Sequence, residues 1–250
     1  MRNALIRLIG WRATVLHGDP TVYDRWRWLR RHLLSGSLRT LDAGCGSGAF
    51  TLYAAKIGNQ AVGVSSDEAN NRKARARADI LRMSTAAFVQ SDLRQLDEIK
   101  AQLGHFDQII CLETIEHIRD DKKLLRDLSD LLKPGGRLLL TTPFEGCPPL
   151  RGDQLSQQED GGHVRWGYTH QDIRELFDDC GLDTVVEEYA SGVLSQQIVN
   201  LQRAISTISP LLGWVVTFPL RVCQCVDPAV TNMLKHPWLS VAMVGLKRAT

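Results

Sequence analysis

Leu41-Asp42-Ala43-Gly44-Cys45-Gly46-Ser47-Gly48 is the stretch on which the reading of this chain turns. The run from Leu38 to Leu41 leads into an acidic residue, and glycines follow at alternate positions. Ala49 to Ile57 then has a helical pattern. That order predicts a buried strand, a tight turn and the start of a helix. Glycine lets a backbone approach a ligand closely, and a helix N-terminus presents unpaired amides. The combination predicts a nucleotide-type pocket at the carboxyl end of the strand. The dinucleotide fingerprint keeps two residues between its second and third glycines. Here the glycines alternate, and Asp42 just before them repels a phosphate and suits a cation.

Working outward, Gln60 to Val64 reads as a second strand and Asp67 to Met83 as a basic, alanine-rich helix. Ala87 to Gln90 reads as a third strand, followed by Ser91-Asp92-Leu93. Phe106 to Leu112 reads as a fourth, followed by Glu113-Thr114-Ile115-Glu116-His117-Ile118 and a helix to Leu132. Lys133-Pro134-Gly135-Gly136 is a stop and turn before a fifth strand, Arg137 to Thr142. Thr169 is placed to N-cap a helix that ends before Gly181, with His170 as its exposed neighbour. Leu182 to Tyr189 and Trp238 to Lys247 read as the last two strands.

Over residues 38 to about 190 these motifs, in this order, resemble the class I S-adenosylmethionine-dependent methyltransferases. The resemblance implies an α/β, Rossmann-like fold: a seven-stranded, mostly parallel sheet with helices on both faces and an antiparallel last strand. It implies S-adenosyl-L-methionine as cofactor. Asp42, Gly44, Cys45, Gly46 and Gly48 would hold its amino-acid end with Glu113 nearby, and Asp92 and Leu93 its adenine. The family's usual ribose-binding carboxylate falls on Ser65. Ser65 and Ser66 are therefore the ribose candidates, and Asp67 is read as the cap of the next helix.

On a helix, Glu113, Glu116 and His117 share one face. Two carboxylates and an imidazole suit a hard or borderline divalent ion, and a cation would offset their mutual repulsion. His163, in the Gly-rich Gly161-Gly162-His163-Val164-Arg165 loop, is placed to supply a fourth ligand. This set resembles the metal-dependent O-methyltransferases of the ubiquinone-biosynthesis type and the small-RNA terminal 2′-O-methyltransferases. The resemblance implies that Glu113, Glu116, His117 and His163 hold Mg2+ or Mn2+. A second reading stays open, because metal-free relatives carry a similar segment. There Glu113 is structural or near the methionine end, Glu116 caps or orients the helix and His117 is a general base, with the glutamates favoured by the helix dipole alone.

The chain has 250 residues, 44% of them hydrophobic, and a net charge of +2. One core of ordinary size follows from that length, and no global argument for nucleic-acid binding follows from that charge. None of the cysteines makes a zinc-type pair, which fits free thiols in a reducing cytosol. Residues 1–36 read as a helical cap with a charged, solvated face, and 37–250 as the methyltransferase domain. About 190–237 form a helical insertion between the sixth and seventh strands. Its run from Leu211 to Leu220 is too short to span a bilayer. It lies in a membrane interface, walls a lipid tunnel, or buries its own core. The expected function is O-methylation of a small or lipid-linked hydroxyl acceptor, in the cytoplasm or peripheral to the inner face of a membrane. DNA is not expected as a partner and RNA is disfavoured, since no basic domain or stacking platform stands out. The rivals are a terminal-ribose RNA methyltransferase, a non-catalytic scaffold subunit and a dinucleotide oxidoreductase.

Overall fold

The strands β1 (Arg39–Ala43), β2 (Gln60–Ser65), β3 (Ala86–Gln90), β4 (Phe106–Leu112), β5 (Leu132–Pro143), β6 (Leu182–Ala190) and β7 (Ser240–Lys247) form one sheet. Its order is β3-β2-β1-β4-β5-β7-β6. The computed structural model describes residues 2–249. Pairing is parallel from β3 across to β5, and β7 runs antiparallel to both its neighbours. Strand order reverses direction between β1 and β4. In open α/β sheets that switch point is where ligands bind, beyond the carboxyl ends of the strands.

Helices α1 (Arg2–Ile9), α2 (Arg12–Leu16) and α3 (Pro20–His32) precede the sheet. They are followed by α4 (Ala49–Lys56), α5 (Glu68–Leu81), the short α6 (Lys100–Leu103), α7 (Asp121–Leu131) and α8 (His170–Asp179). Between β6 and β7 stand α9 (Val193–Ser206), α10 (Pro210–Thr217), a 3₁₀ turn (Pro219–Cys225) and α11 (Asp227–Leu234). Successive strand residues point to opposite faces, so the sheet divides the apolar side chains between two cores. Leu41, Ile109, Leu138 and Leu140 pack with α7 and α8 through Leu124, Leu125 and Phe177. Ile110, Leu139 and Ala242 pack on the other face with Leu52 of α4 and Trp28 and Leu29 of α3. A sheet buried on both faces explains why β4 and β5 read as near-continuous apolar runs.

Asp67 caps α5, accepting from Ala69 N (2.7 Å) and Asn70 N (3.2 Å). Thr169 and Asp172 form a reciprocal capping box on α8. Three expectations need correcting. Lys133–Gly136 does not separate a helix from a strand: β5 already begins at Leu132, which pairs with Phe106, while Arg137 pairs with Gln108. The four residues bulge opposite Asp107, whose carboxylate accepts from Lys133 Nζ at 2.7 Å. His170 is not exposed; it is half-buried, within 2.8 Å of the Glu188 carbonyl and against Tyr189. The segment after β4 is not helical, and that change reshapes the site.

Candidate active site

Beyond β1 the chain turns through Gly44 (φ 85°) and Gly46 (φ 49°), in the left-handed region that side chains disfavour. A Cβ on Gly44 would lie 2.4 Å from Thr114 Oγ1, so the turn can press against the end of β4 only as glycine. At Gly46 a Cβ would meet nothing within 4 Å. Its backbone faces open space, as a cradle for a ligand requires. Gly48 is the left-handed cap of α4. Asp42 is buried, and Thr51 Oγ1 of α4 donates to its Oδ2 at 2.6 Å. Burial pushes its carboxyl up to about 6, against that hydrogen bond. Burial also pushes the Cys45 thiol up, which leaves it an inert packing group.

Two cavities adjoin this turn, and a third lies beyond Glu113. One of about 320 Å³ is bordered by Asp42, Gly44, Cys45, Gly46 and Arg25. A second, of about 360 Å³, lies on the other side of Gly44 and Gly46, against Ser65, Ser66, Asn70 and Asp92. A third, of about 290 Å³, is bordered by Glu116, His117, His163, Arg25, Phe144 and Trp166. Glu113 lines all three.

Glu113 reaches that position by leaving regular structure. Its φ is 49°, a strained value for a non-glycine residue and one that tends to occur at functional sites. Its amide donates to the Thr141 carbonyl at 2.8 Å, and its Oε1 accepts from Thr141 Oγ1 at 2.8 Å. Only Ile115–His117 then form a 3₁₀ turn, and α7 begins at Asp121. The expected helical face shared by Glu113, Glu116 and His117 therefore does not form. Among the described residues, the group with ligand atoms all within 4.8 Å of one another is Glu116, His117 and His163. Glu113 stands outside it, toward the glycine turn.

Glu116 is fully buried. Its Oε2 accepts from Thr142 Oγ1 at 3.2 Å, while its Oε1 has no hydrogen-bond partner. Burial, reinforced by the Glu113 charge, holds its carboxyl well above the ordinary range. His117 Nδ1 lies 3.0 Å from the Gly162 carbonyl. A carbonyl only accepts, so Nδ1 carries a proton, and Nε2 lies 3.9 Å from Glu116 Oε1. His163 packs edge-on to His117, with ring centroids 4.8 Å apart. Burial, then His117, pushes its pKa down, so His163 favours the neutral ring. The loop is held in place by Val164 N, which donates to the Glu116 carbonyl at 2.9 Å. A buried carboxylate oxygen without a donor, beside two imidazoles, is a donor set suited to a divalent ion.

The other expected contacts are placed more loosely. Ser65 and Ser66 border the second cavity at the end of β2, as a ribose contact needs. Asp92 and Leu93 border it too, but both Asp92 oxygens already accept from Arg94 Nε, at 3.0 and 2.9 Å. Arg94 also lowers the Asp92 pKa and so keeps it ionised. Arg25 was not singled out from the sequence. It lies on α3, borders both the first and third cavities, and has a buried Nε with no hydrogen-bond partner. It stood among several arginines of one basic segment, and nothing local marked it. Thr51, Thr141 and Thr142, which hold the three carboxylates, gave no signal either, because their partners lie on other elements.

A methyltransferase-domain family model matches residues 21–188. The chain belongs to the class I S-adenosylmethionine-dependent methyltransferases. The ubiquinone biosynthesis O-methyltransferase of Xanthomonas axonopodis pv. citri (strain 306) is 29% identical over 119 residues, which is 47% of this chain and 48% of that one. The chain thus spans about half the length of the curated relatives it matches. Among solved structures, the [4+2]-cyclase SpnF superposes with a TM-score of 0.63 at 19% identity, covering 92% of this chain and 83% of that one. An S-adenosylmethionine-dependent methyltransferase from Mesorhizobium loti gives 0.59 at 18% identity, covering 93% and 100%. These likenesses establish the Rossmann-like methyltransferase fold. A cyclase among them is a reminder that the site, not the fold, must carry the argument for the reaction.

Proposed function

We propose that this methyltransferase methylates a hydroxyl oxygen of a small or lipid-linked acceptor, with a divalent ion held by Glu116, His117 and His163. The observation that carries this reading is the unpartnered Oε1 of Glu116, buried beside two imidazoles at a cavity that shares Glu113 with the one along the glycine turn. Leaving a buried acceptor atom unpaired costs free energy, and a cation removes that cost. The similarity to ubiquinone biosynthesis O-methyltransferases points to the same acceptor chemistry.

The chain's own residues divide the work. Asp42 holds the cofactor's ammonium group, and Arg25 holds its carboxylate from the α3 side. Ser65 and Ser66 face the ribose, and Asp92 the adenine. Glu113 and Thr141 close the wall between the cofactor's reactive end and the acceptor cavity. S-adenosylmethionine supplies a methyl group already activated on sulfonium, so what remains is to align an oxygen in line with it. A divalent ion at the three ligands would lower the pKa of a neighbouring hydroxyl. His117 Nε2 is placed to take the released proton if no ion is present, and this is the metal-free alternative.

The test is turnover on a panel of catechols and other vicinal diols, with calorimetry of Mn2+ binding alongside. Chelator should abolish turnover, and Mg2+ or Mn2+ should restore it. Full activity in chelator, with no saturable Mn2+ heat, would remove the ion and leave His117 as the base.

A further inference from the structure

The insertion between β6 and β7 is built inside out. From α10 through the 3₁₀ turn to α11, the residues that face the protein are Gly213, Thr217, Arg221, Gln224, Asp227 and Thr231, at helical spacings of three and four. Apart from the glycine, every member of that inward stripe is polar. Each is bonded. Thr217 Oγ1 donates to the Gly213 carbonyl at 2.8 Å, and Arg221 Nη1 to the Leu16 carbonyl at 2.9 Å. Gln224 Nε2 reaches the Pro20 carbonyl, Asp24 and Ser195, each at 3.1 Å. Asp227 caps α9, accepting from Leu194 N at 2.8 Å and Ser195 N at 3.1 Å. The outward face is apolar: Val222 is 75% exposed, Leu211 and Val215 51%, Val226 55% and Met233 74%, with Ile208 at 82% just before α10. A helix at a water-facing surface shows the reverse pattern. An apolar face this continuous marks an interaction surface.

Charge narrows the choice of partner. Between residues 191 and 246 the charged side chains are Arg203, Arg221, Asp227 and Lys235. Arg221 and Asp227 are buried in the inward stripe. What remains at the surface is Lys235, exposed at the end of α11, since half-buried Arg203 is paired with Asp153 at 2.6 Å. The face presents no acidic group. No helix among the described residues is long and apolar enough to cross a membrane. A short apolar face with a lysine at its end and no acids suits the headgroup boundary of a bilayer that contains anionic lipid.

We infer that the outward face of α10, the 3₁₀ turn and α11 docks in the interface of an anionic phospholipid bilayer. The inference stands on exposure and charge and does not depend on which acceptor is methylated. It has a geometric consequence. Arg203 of α9 borders the acceptor cavity, and Thr217 Oγ1 of α10 lies 3.1 Å from Gln202 Oε1 of α9, so the docked face lies one helix away from that cavity.

The test is cosedimentation of the full chain with phosphatidylcholine vesicles, with and without phosphatidylglycerol. Wild type should bind the phosphatidylglycerol vesicles, less so as salt is raised. The triple variant Leu211→Glu, Val215→Glu, Val222→Glu should lose about tenfold or more of that partitioning, with S-adenosylhomocysteine affinity unchanged. The corresponding triple alanine variant, which adds no charge, should fall between the two. Failure to bind either vesicle, or binding that survives in the triple glutamate variant, would overturn the inference. So would a wild-type dimer in sedimentation analysis that the same variant dissociates, which would assign the face to a second copy.

Discussion

Asp42 and Glu116 are both acids buried near the carboxyl ends of adjacent strands, and both have pKa values pushed up by burial. They differ in wiring. Asp42 is bonded by Thr51 and faces the glycine turn. Glu116 keeps one oxygen bonded by Thr142 and leaves the other bare beside His117 and His163. Burial alone therefore does not assign a role to an acid. The roles proposed for them follow from the surrounding groups: an ammonium group for Asp42 and a metal ion for Glu116.

The largest effect expected from breaking this pair is on cofactor binding. Asp42→Ala should weaken S-adenosylhomocysteine affinity about 100-fold or more, as loss of a buried charged contact does. Calorimetry gives the value, and unchanged affinity would remove Asp42 from the pocket. Glu116→Gln should lower turnover by a similar factor and abolish Mn2+ binding, while S-adenosylhomocysteine affinity stays within about twofold, since it touches the other side of Glu113. Arg25→Ala should be milder, about tenfold in cofactor affinity, because an ion pair to a solvent-facing carboxylate is partly screened. Its test is the same titration at low and high salt, where the wild-type and variant values should converge.

Acidity sharpens the contrast. The ammonium-binding form of Asp42 is the carboxylate, and its pKa in the unliganded fold is about 6. Cofactor affinity should therefore be flat above that pH and fall about tenfold per unit below it. Since the folded pKa lies above the ordinary value of 3.8, ionisation of Asp42 opposes folding as pH rises through that interval. Asp42→Asn should raise the Tm of the unliganded chain at neutral pH by about 2–4 °C per kcal/mol relieved, while weakening the cofactor. A thermal melt with and without ligand measures both. A lower Tm in the unliganded variant would mean that Asp42 is a structural acid.

Much of this fold is legible locally. The β4 strand lies where its apolar run ends, and the alternating glycines mark the turn after β1 because only their left-handed backbone closes it against Thr114. Asp67 was readable as a cap, since capping needs only the next few residues. The site is less legible where distant elements decide. Glu113 is pulled out of a helix by Thr141 of β5, so the expected spacing on one face was lost. Arg25 enters the site only because α3 packs across one face of the sheet. The apolar run at Leu211 was equally compatible with a buried pair of helices. Its polar inward stripe appears only once Arg221 and Gln224 are seen bonded to the chain around Leu16 and Pro20.

Titrating S-adenosylhomocysteine and Mn2+ separately into wild type, Asp42→Asn and Glu116→Gln tests the division of labour most directly. The account expects a crossed result: Asp42→Asn loses the nucleoside and keeps the ion, and Glu116→Gln does the opposite. Loss of both ligands in either variant, or of neither in both, would contradict it.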